Sequence, residues 1–494
     1  MDRSRRHQTI LLALLVFGVV LRVRQYAACP SYWYDEAYLL LNVFHKSFLD
    51  LLGPLREDQA APPLFLWALR GLYQIAGGSE WCMRLPALAA SVAGLLIMVP
   101  LARRVAGRRG GLWAVAFCAF GHHAAAHGGE VKPYTVDFLM TELILLAALR
   151  CQAVVSSWRP RIALCLLAAI APWVSYPSVF VLGGAALSFL RQPAAPARDT
   201  KTLAGAAGWR AAFVVLFALS TFILWQTVAR HQATSALGEF WASSFLDLSS
   251  PGAAAAWMGR CLIEIGNYGT REMGLPLLVL ALVGAASLWR RWPSRVVLLA
   301  GPLPLALIAC ALHRYPLGGR LLFFLVPCVW LLAARGVGAL LQRLPSRLAQ
   351  WGWVLPAVLL VPAALWSGRL LLVVTPRCQF REAFAYVESH REPDDVLWVS
   401  HPQVYEVYYG RAPDLDAYSP PETVEQAACT GRLWMVCAVA GSRERFTAGA
   451  TVDRVRAAPC MAADRRRFKG LEVILYAPRI EPRPLLPSDS ESEK

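Results

Sequence analysis

Between residues 9 and 374 the chain repeats one pattern, an apolar run followed by a short polar connection and a further apolar run. The runs fall near 9–27, 82–102, 111–128, 136–153, 162–176, 178–191, 211–229, 274–289, 296–312, 319–334 and 352–374. Several approach the length of about 20 residues that crosses a bilayer as a helix. Repeated this often, they have nothing to cover them in water, whereas in lipid a helix satisfies all its own backbone hydrogen bonds. The chain therefore reads as a polytopic α-helical membrane protein with about 11 transmembrane helices. Pro177 alone separates 162–176 from 178–191, so those two also fit a re-entrant pair.

Composition agrees. Of 494 residues, 56% are hydrophobic and 17% charged, where a soluble domain carries about 25% charged residues. The 18 Trp, 20 Phe and 15 Tyr exclude disorder, because that much apolar surface is not left in water. The net charge of +16 would suggest nucleic acid in a soluble protein. Here no basic stripe is interleaved with aromatics in the way nucleic-acid binding requires, and no such partner is expected.

The charge instead sorts by loop. Arg3, Arg5 and Arg6; Arg103, Arg104, Arg108 and Arg109; Arg150, Arg159 and Arg161; Arg191, Arg198 and Lys201; Arg290, Arg291 and Arg295; Arg343 and Arg347 occupy alternate connections. The intervening ones hold Asp35, Glu36, Asp50, Glu57, Asp58, Glu80, Glu130, Glu239, Asp247, Glu264 and Glu272. By the positive-inside rule the expectation is an inner (cytoplasmic) membrane protein with a cytoplasmic amino terminus, the acidic loops and everything after 375 facing the periplasm. Ala27-Ala28-Cys29 looks like a leader cleavage site, but Arg22 and Arg24 interrupt the approach to it, so the first run is read as a retained helix.

After 375 the pattern changes. Phe380 to His390 has amphipathic helical spacing, Asp395 to Val399 reads as a strand, Val404 to Tyr409 as a short helix, and Leu433 to Ala438 and Leu471 to Tyr476 as strands. The expected organisation is a transmembrane catalytic domain at 1–375, a small α/β extracytoplasmic domain at 376–480 and a disordered tail at 481–494. The twelve cysteines show no CxxC or Cys/His metal spacing. Cys378, Cys429, Cys437 and Cys460 lie in the outward-facing segment, where one or two disulfides are expected.

The sharpest local feature is Ser31-Tyr32-Trp33-Tyr34-Asp35-Glu36-Ala37-Tyr38, just beyond the first run. Trp and Tyr belong at a headgroup level, and adjacent acids there can be merely solvated. The loop that follows is long, however, and contains Ala61-Pro62-Pro63-Leu64-Phe65 and a second amphipathic stretch, which suits juxtamembrane helices walling a site. A stretch from His231 to Met273 reads as another outer loop, with aromatics to which no role is given.

Leu21-Arg22, Trp33-Tyr34-Asp35-Glu36-Ala37-Tyr38, Pro62-Pro63-Leu64 and Arg84-Leu85-Pro86 together resemble the opening of the glycosyltransferase family 39 type of GT-C membrane enzymes. That group includes bacterial lipid A aminoarabinose transferases and protein O-mannosyltransferases. The resemblance runs on through Glu130-Val131-Lys132-Pro133-Tyr134 and Arg314-Tyr315-Pro316 to Arg320. It implies a GT-C fold, a polyprenyl-phosphate-linked sugar as donor and co-substrate, and the first-loop aspartate, Asp35, as the catalytic carboxylate. The acceptor would be a lipid, a glycan or a protein.

The residues suit that chemistry. A sugar on a lipid phosphate already has a good leaving group, so one carboxylate taking the acceptor's proton suffices, with fixed cations on the departing phosphate. Asp35 is the candidate base, and Glu36 or Glu130 a second carboxylate. Single displacement inverts the anomeric centre. Arg22, Arg24, Lys132, Arg314 and Arg320 are cations at outer helix ends, against the loop pattern. With Tyr134 they are the candidate donor-phosphate residues, although snorkelling would also place such side chains there. Arg314 and Arg320 flank Tyr315-Pro316-Leu317-Gly318-Gly319, a turn that would let both guanidinium groups converge on one anion.

His123 and His127, spaced i, i+4, with Glu130 one turn on, make a weaker metal reading; no cofactor is expected, and a divalent metal is the alternative. Two other classes compete with the transferase. A secondary transporter would place ionisable groups near the midplane and show related halves. A non-catalytic lipid-binding protein would not need Asp35.

Overall fold

The computed structural model describes residues 3–153, 157–192, 200–343, 345, 353–373, 377–439 and 445–478. Arg198, Arg347 and the expected tail at 481–494 lie outside them. By its internal contacts the chain forms two compact units, Met1–Cys29 with Asn42–Thr375, and Pro30–Leu41 with Pro376–Lys494.

The first unit is helical. It begins with α1 (Arg3–Ala27) and, after the short segment that belongs to the second unit, continues through the end of α2 (Tyr34–His45), then α3 (Pro63–Ala76), α4 (Glu80–Ala119), α5 (His122–Ala126) and α6 (Tyr134–Cys151). Among the described residues, five helices are long and apolar enough to cross a membrane: Ser4–Ala27, Glu80–Ala119, Ala207–Gln232, Pro293–Ala311 and Gly319–Leu341. A sixth span results if Pro251–Thr270 and Gly274–Trp289, bent by 95° at their junction, are counted together. Ser178–Leu190 and Pro356–Leu372 are apolar but shorter.

Local chemistry explains where the runs break. The expected runs at 82–102 and 111–128 share the segment of α4, interrupted at Gly107, whose φ of 73° is left-handed and suits glycine. Asn42 ties the end of α2 to the loop before α3: its Nδ2 donates to Arg56 O at 3.2 Å and its Oδ1 accepts from Arg56 N at 2.7 Å. Pro63 then starts α3 at a first-turn position, where a missing N–H costs nothing.

One expectation is corrected. The stretch 231–273 is not a loop throughout, since Pro251–Thr270 is a 20-residue helix. Ser250 caps it, its side chain accepting from Ala253 N at 3.1 Å. Arg260 and Glu264 interrupt the apolar pattern there, which hides the helix from a search for uninterrupted runs.

Small residues set the tightest helix contact. A Cβ added at Gly284 would collide with Leu332 O, and one at Gly336 with Leu280 O, so Gly274–Trp289 and Val326–Leu341 meet backbone to backbone. Glycine at a helix crossing permits that approach in lipid, where packing rather than water exclusion drives association.

The second unit is a five-stranded sheet between helices. Its strands are β1 (Val396–Val399), β2 (Leu415–Asp416), β3 (Leu433–Ala438), β4 (Cys460–Phe468) and β5 (Leu471–Pro478), in the order β2-β1-β3-β5-β4. β1 runs parallel to β2 and β3, while β5 is antiparallel to β3 and β4. The central strands alternate faces. Trp434, Val436, Val473 and Leu475 pack on one face with Phe380, Phe384 and Val404. Met435, Cys437, Ile474 and Tyr476 pack on the other with Val424, Ala428 and Val455. β4 escapes a hydrophobic search because its run Asp464-Arg465-Arg466-Arg467 is exposed.

Among the described residues, none of Cys378, Cys429, Cys437 and Cys460 is joined in a disulfide, contrary to the expectation. Cys437 is buried on the inner side of its strand, where burial pushes its thiol up to about 12. A thiol kept protonated in this way is a poor partner for exchange.

Candidate active site

The candidate residues divide between the units. Asp35 and Glu36 belong to the segment Pro30–Leu41 that packs with the carboxy-terminal sheet. Trp33 precedes the first turn of α2, and its backbone N–H donates to Glu36 Oε2 at 3.3 Å. This is the reach-back half of a capping box, which satisfies an amide that the helix cannot. Both acids stand in the first turn, where the helix dipole favours negative charge. Both are buried, with 7% of Asp35 and 1% of Glu36 exposed, so neither is a merely solvated surface acid.

The segment is held along its length by 377–408. Ser31 Oγ donates to Cys378 O at 2.6 Å, and Tyr32 N–H donates to the Tyr408 hydroxyl at 2.7 Å. The Arg377 guanidinium lies 4.0 Å from the centre of the Trp33 ring. Tyr34 stacks on His401 at 5.2 Å and 13°, and Tyr38 Oη lies 3.1 Å from His401 Nδ1. Ala37 is part of the same apolar cluster as Phe380, Phe384 and Val404.

In the helical unit, the stretch between α5 and α6 gathers most of the remaining candidates. His127 Nδ1 and Glu130 Oε2 are 2.9 Å apart, and both side chains are largely buried. Lys132 Nζ donates to Gln59 Oε1 at 2.9 Å, from the loop before α3. Tyr134, at the start of α6, has its ring 5.1 Å from that of His127, and Arg320 lies 5.5 Å from the Tyr134 ring centre. Glycine makes the turn possible: a Cβ on Gly128 would press on Ser91 at 3.1 Å. Glu130, Lys132, Tyr134 and Arg320 thus line one region, which presents a carboxylate, two fixed cations and a phenol.

The other cations are placed differently. Arg22 is completely buried. Its Nε donates to Ser91 Oγ at 2.8 Å and Ser91 O at 3.1 Å, Nη1 to Gly18 O at 2.9 Å, and Nη2 to Cys118 O at 3.1 Å. Those bonds tie α1 to α4 and leave Arg22 engaged inside the helical packing. Arg24 is half-buried near the end of α1. Arg314 and Arg320 do not share a ring partner: Arg314 lies over Trp225 at 5.4 Å, and Arg320 over Tyr134 and over Trp241 at 5.9 Å. The turn between them is pinned instead, with Gly319 N–H donating to Glu264 Oε1 at 2.8 Å.

Among the described residues, no group of three His, Cys, Asp or Glu side chains is arranged to hold a metal ion. His123 and His127 stack 5.8 Å apart at 26°, and His123 stacks on Tyr268 at 4.1 Å. Rings stacked in parallel do not aim their lone pairs at one point, and His127 Nδ1 is engaged with Glu130.

Sequence reading missed Gln59, Tyr268 and above all His401. The last had a detectable signal, since it follows β1 and precedes a short helix, at the carboxyl end of a strand where α/β domains present functional side chains.

Comparison with known proteins supports the architecture. Residues 60–225 match the family model described as dolichyl-phosphate-mannose-protein mannosyltransferase. No curated protein matches the chain by sequence. In structure, the chain is similar to ArnT from Cupriavidus metallidurans in the apo state, with 11% identity, TM-score 0.55, and coverage of 96% of this chain and 98% of that one. It is also similar to the archaeal oligosaccharyltransferase AglB from Archaeoglobus fulgidus in complex with an inhibitory peptide and a dolichol-phosphate, at 10% identity, TM-score 0.54, and coverage of 88% and 69%. The apo form of the same oligosaccharyltransferase matches at 10% identity and TM-score 0.55, covering 88% of this chain and 70% of that one. Helical membrane unit, carboxy-terminal sheet and these likenesses together make this chain a multi-pass membrane protein of the GT-C fold.

Proposed function

We propose that the protein is a membrane glycosyltransferase that moves a sugar from a polyprenyl phosphate donor to a lipid, glycan or protein acceptor, with inversion at the anomeric carbon. Asp35 takes the acceptor's proton as the hydroxyl attacks C1. Lys132, Arg320 and the Tyr134 hydroxyl hold the phosphate that leaves, and Glu130 orients one of the two substrates. The observation that carries this reading is the stretch between α5 and α6, where Glu130 bonds His127, Lys132 bonds Gln59 and Arg320 lies over the Tyr134 ring.

Two further facts support it. The matching family model is described by a dolichyl phosphate sugar reaction, and the archaeal oligosaccharyltransferase of like fold binds a dolichol-phosphate. Arg keeps its charge in a low-dielectric site, which a group stabilising a leaving phosphate must do. The reaction takes place on the outward face of the cytoplasmic membrane, with the amino terminus inside, as the distribution of Arg among the loops supports.

The test uses the purified full-length protein with a panel of lipid-linked sugars and acceptors, measuring release of polyprenyl phosphate. Wild type should release it, and Asp35→Asn should do so more slowly by about 10²–10⁴-fold, the usual worth of general-base catalysis. A folded Asp35→Asn with full activity would remove Asp35 from the mechanism. No release from any lipid-linked donor would leave a transport or lipid-binding role in its place.

A further inference from the structure

The carboxy-terminal sheet looks, along the chain, like an appendage that begins more than three hundred residues after the Asp35 segment. Its contacts say otherwise. Residues Pro30–Leu41 belong to its compact unit rather than to the helical one. Three kinds of contact fasten them. The Ser31 hydroxyl donates to Cys378 O, and the Tyr32 N–H donates to the Tyr408 hydroxyl. Trp33 is covered by the Arg377 guanidinium. The first two turns of α2 are gripped by one imidazole, that of His401, which stacks on Tyr34 and reaches Tyr38 Oη.

The positions of these residues on α2 matter. Tyr34 and Tyr38 are one turn apart, at i and i+4, and so share a face of the helix. Asp35 and Glu36 lie between them in sequence. A single side chain that engages both tyrosines therefore sets the rotation of the first turn about the helix axis, and with it the direction of the two carboxylates. His401 is itself well fixed. Only 4% of it is exposed, its ring meets Phe380 edge-on at 5.9 Å, and Pro402 begins the helix Pro402–Tyr409 immediately after it.

We infer that His401 is a positioning residue for Asp35, holding the first turn of α2 through Tyr34 and Tyr38, so that the sheet unit fixes the segment that carries the candidate base. The inference rests on the transferase reading for what Asp35 does, but not for how α2 is held. Burial keeps the His401 ring neutral, its pKa lowered to about 4, so one ring nitrogen keeps a lone pair at neutral pH. With the proton on Nε2, Nδ1 accepts from the Tyr38 hydroxyl. Nothing in this arrangement touches substrate. Its effect would appear in the catalytic step, because misplacing a reacting group by about 1 Å can cost on the order of 10²-fold in rate.

The experiment uses the full-length protein with substitutions that separate the two contacts. His401→Phe keeps the stack on Tyr34 and removes the acceptor for Tyr38. His401→Asn removes the stack and keeps an acceptor, and Tyr38→Phe removes the donor. Two readouts are taken on each: hydrogen exchange of the amides at 34–41, and kcat and donor KM for polyprenyl phosphate release.

The expected result is faster exchange at 34–41 in His401→Phe and in Tyr38→Phe. With it, kcat should fall by about tenfold or more while donor KM stays within about twofold. Combining the two substitutions should add little, since both delete one interaction, and His401→Asn should recover part of the lost kcat. Unchanged exchange and unchanged kcat in His401→Phe would overturn the inference, as would full additivity in the double variant or a change confined to KM. If the wild type releases no polyprenyl phosphate, the transferase reading fails. The exchange arm then still decides whether His401 holds α2.

Discussion

Replacing Arg22 by methionine separates a donor-binding cation from a packing cation. The side chain is fully buried and spends its donors on Gly18 O, Ser91 O, Ser91 Oγ and Cys118 O, at 2.8 to 3.1 Å. Ser91 passes the connection on, its hydroxyl donating to Ala124 O at 2.6 Å just before the loop that bears Glu130. Methionine keeps much of the length and removes every donor. The cost follows: Gly18 O, Ser91 O, Ser91 Oγ and Cys118 O lose a charged donor inside the packing.

A buried acceptor left without its donor costs about 1–3 kcal/mol, and hydrogen bonds to a charged group stand at the upper end of that range. At about 2–4 °C per kcal/mol for large domains, Arg22→Met should lower the unfolding midpoint by on the order of 10 °C. The assay is heating in detergent followed by size-exclusion chromatography read by tryptophan fluorescence, with donor KM measured well below the midpoint. The result against a packing role is an Arg22→Met protein that melts like wild type while its donor KM rises tenfold or more. That outcome would return Arg22 to the phosphate site.

Gly336→Ala should lower the unfolding midpoint as well. Its methyl would meet Leu280 O, a backbone atom that cannot rotate away, and overpacking of this kind costs about 1–3 kcal/mol or more. Gly368→Ala, where a Cβ meets nothing within 4 Å, is the control and should leave the midpoint unchanged in the same chromatographic assay. The sheet should also loosen in acid. Glu472 is held below the usual glutamate value, first by its hydrogen bonds from Arg465 and then by Arg467. A carboxyl lowered on folding stabilises above its unfolded value of about 4.3 and loses that contribution as pH falls through the folded value. Amides of β4 and β5 should therefore lose protection relative to β1 as pH is lowered below about 4.3. Glu472→Gln should show no such step, and a step of equal size in that variant would refute the assignment.

Much of this protein is legible from one dimension. Apolar runs of bilayer length and the placement of Arg among the loops depend on the solvent, and solvent preference is carried residue by residue. The same is true of strands with one or two apolar faces, which is why β1, β3 and β5 could be read while the edge strand β4, with its exposed arginines, could not. Short motifs also carried information, since Asp35, Glu130 and Lys132 stand in recognisable local surroundings.

What the tertiary structure decided concerns partners distant along the chain. Arg22 and Arg320 look equivalent as cations at helix ends, yet one is enclosed by carbonyls from three places in the packing while the other lies against Tyr134 and Trp241. A charge pattern cannot tell them apart, because the difference is which groups surround each guanidinium. In the same way, nothing near Tyr34 or Tyr38 announces His401, more than 360 residues away. Local sequence sets what each segment prefers as a solvent and a shape. Only the closing of the chain brings the carboxy-terminal sheet to the Asp35 segment.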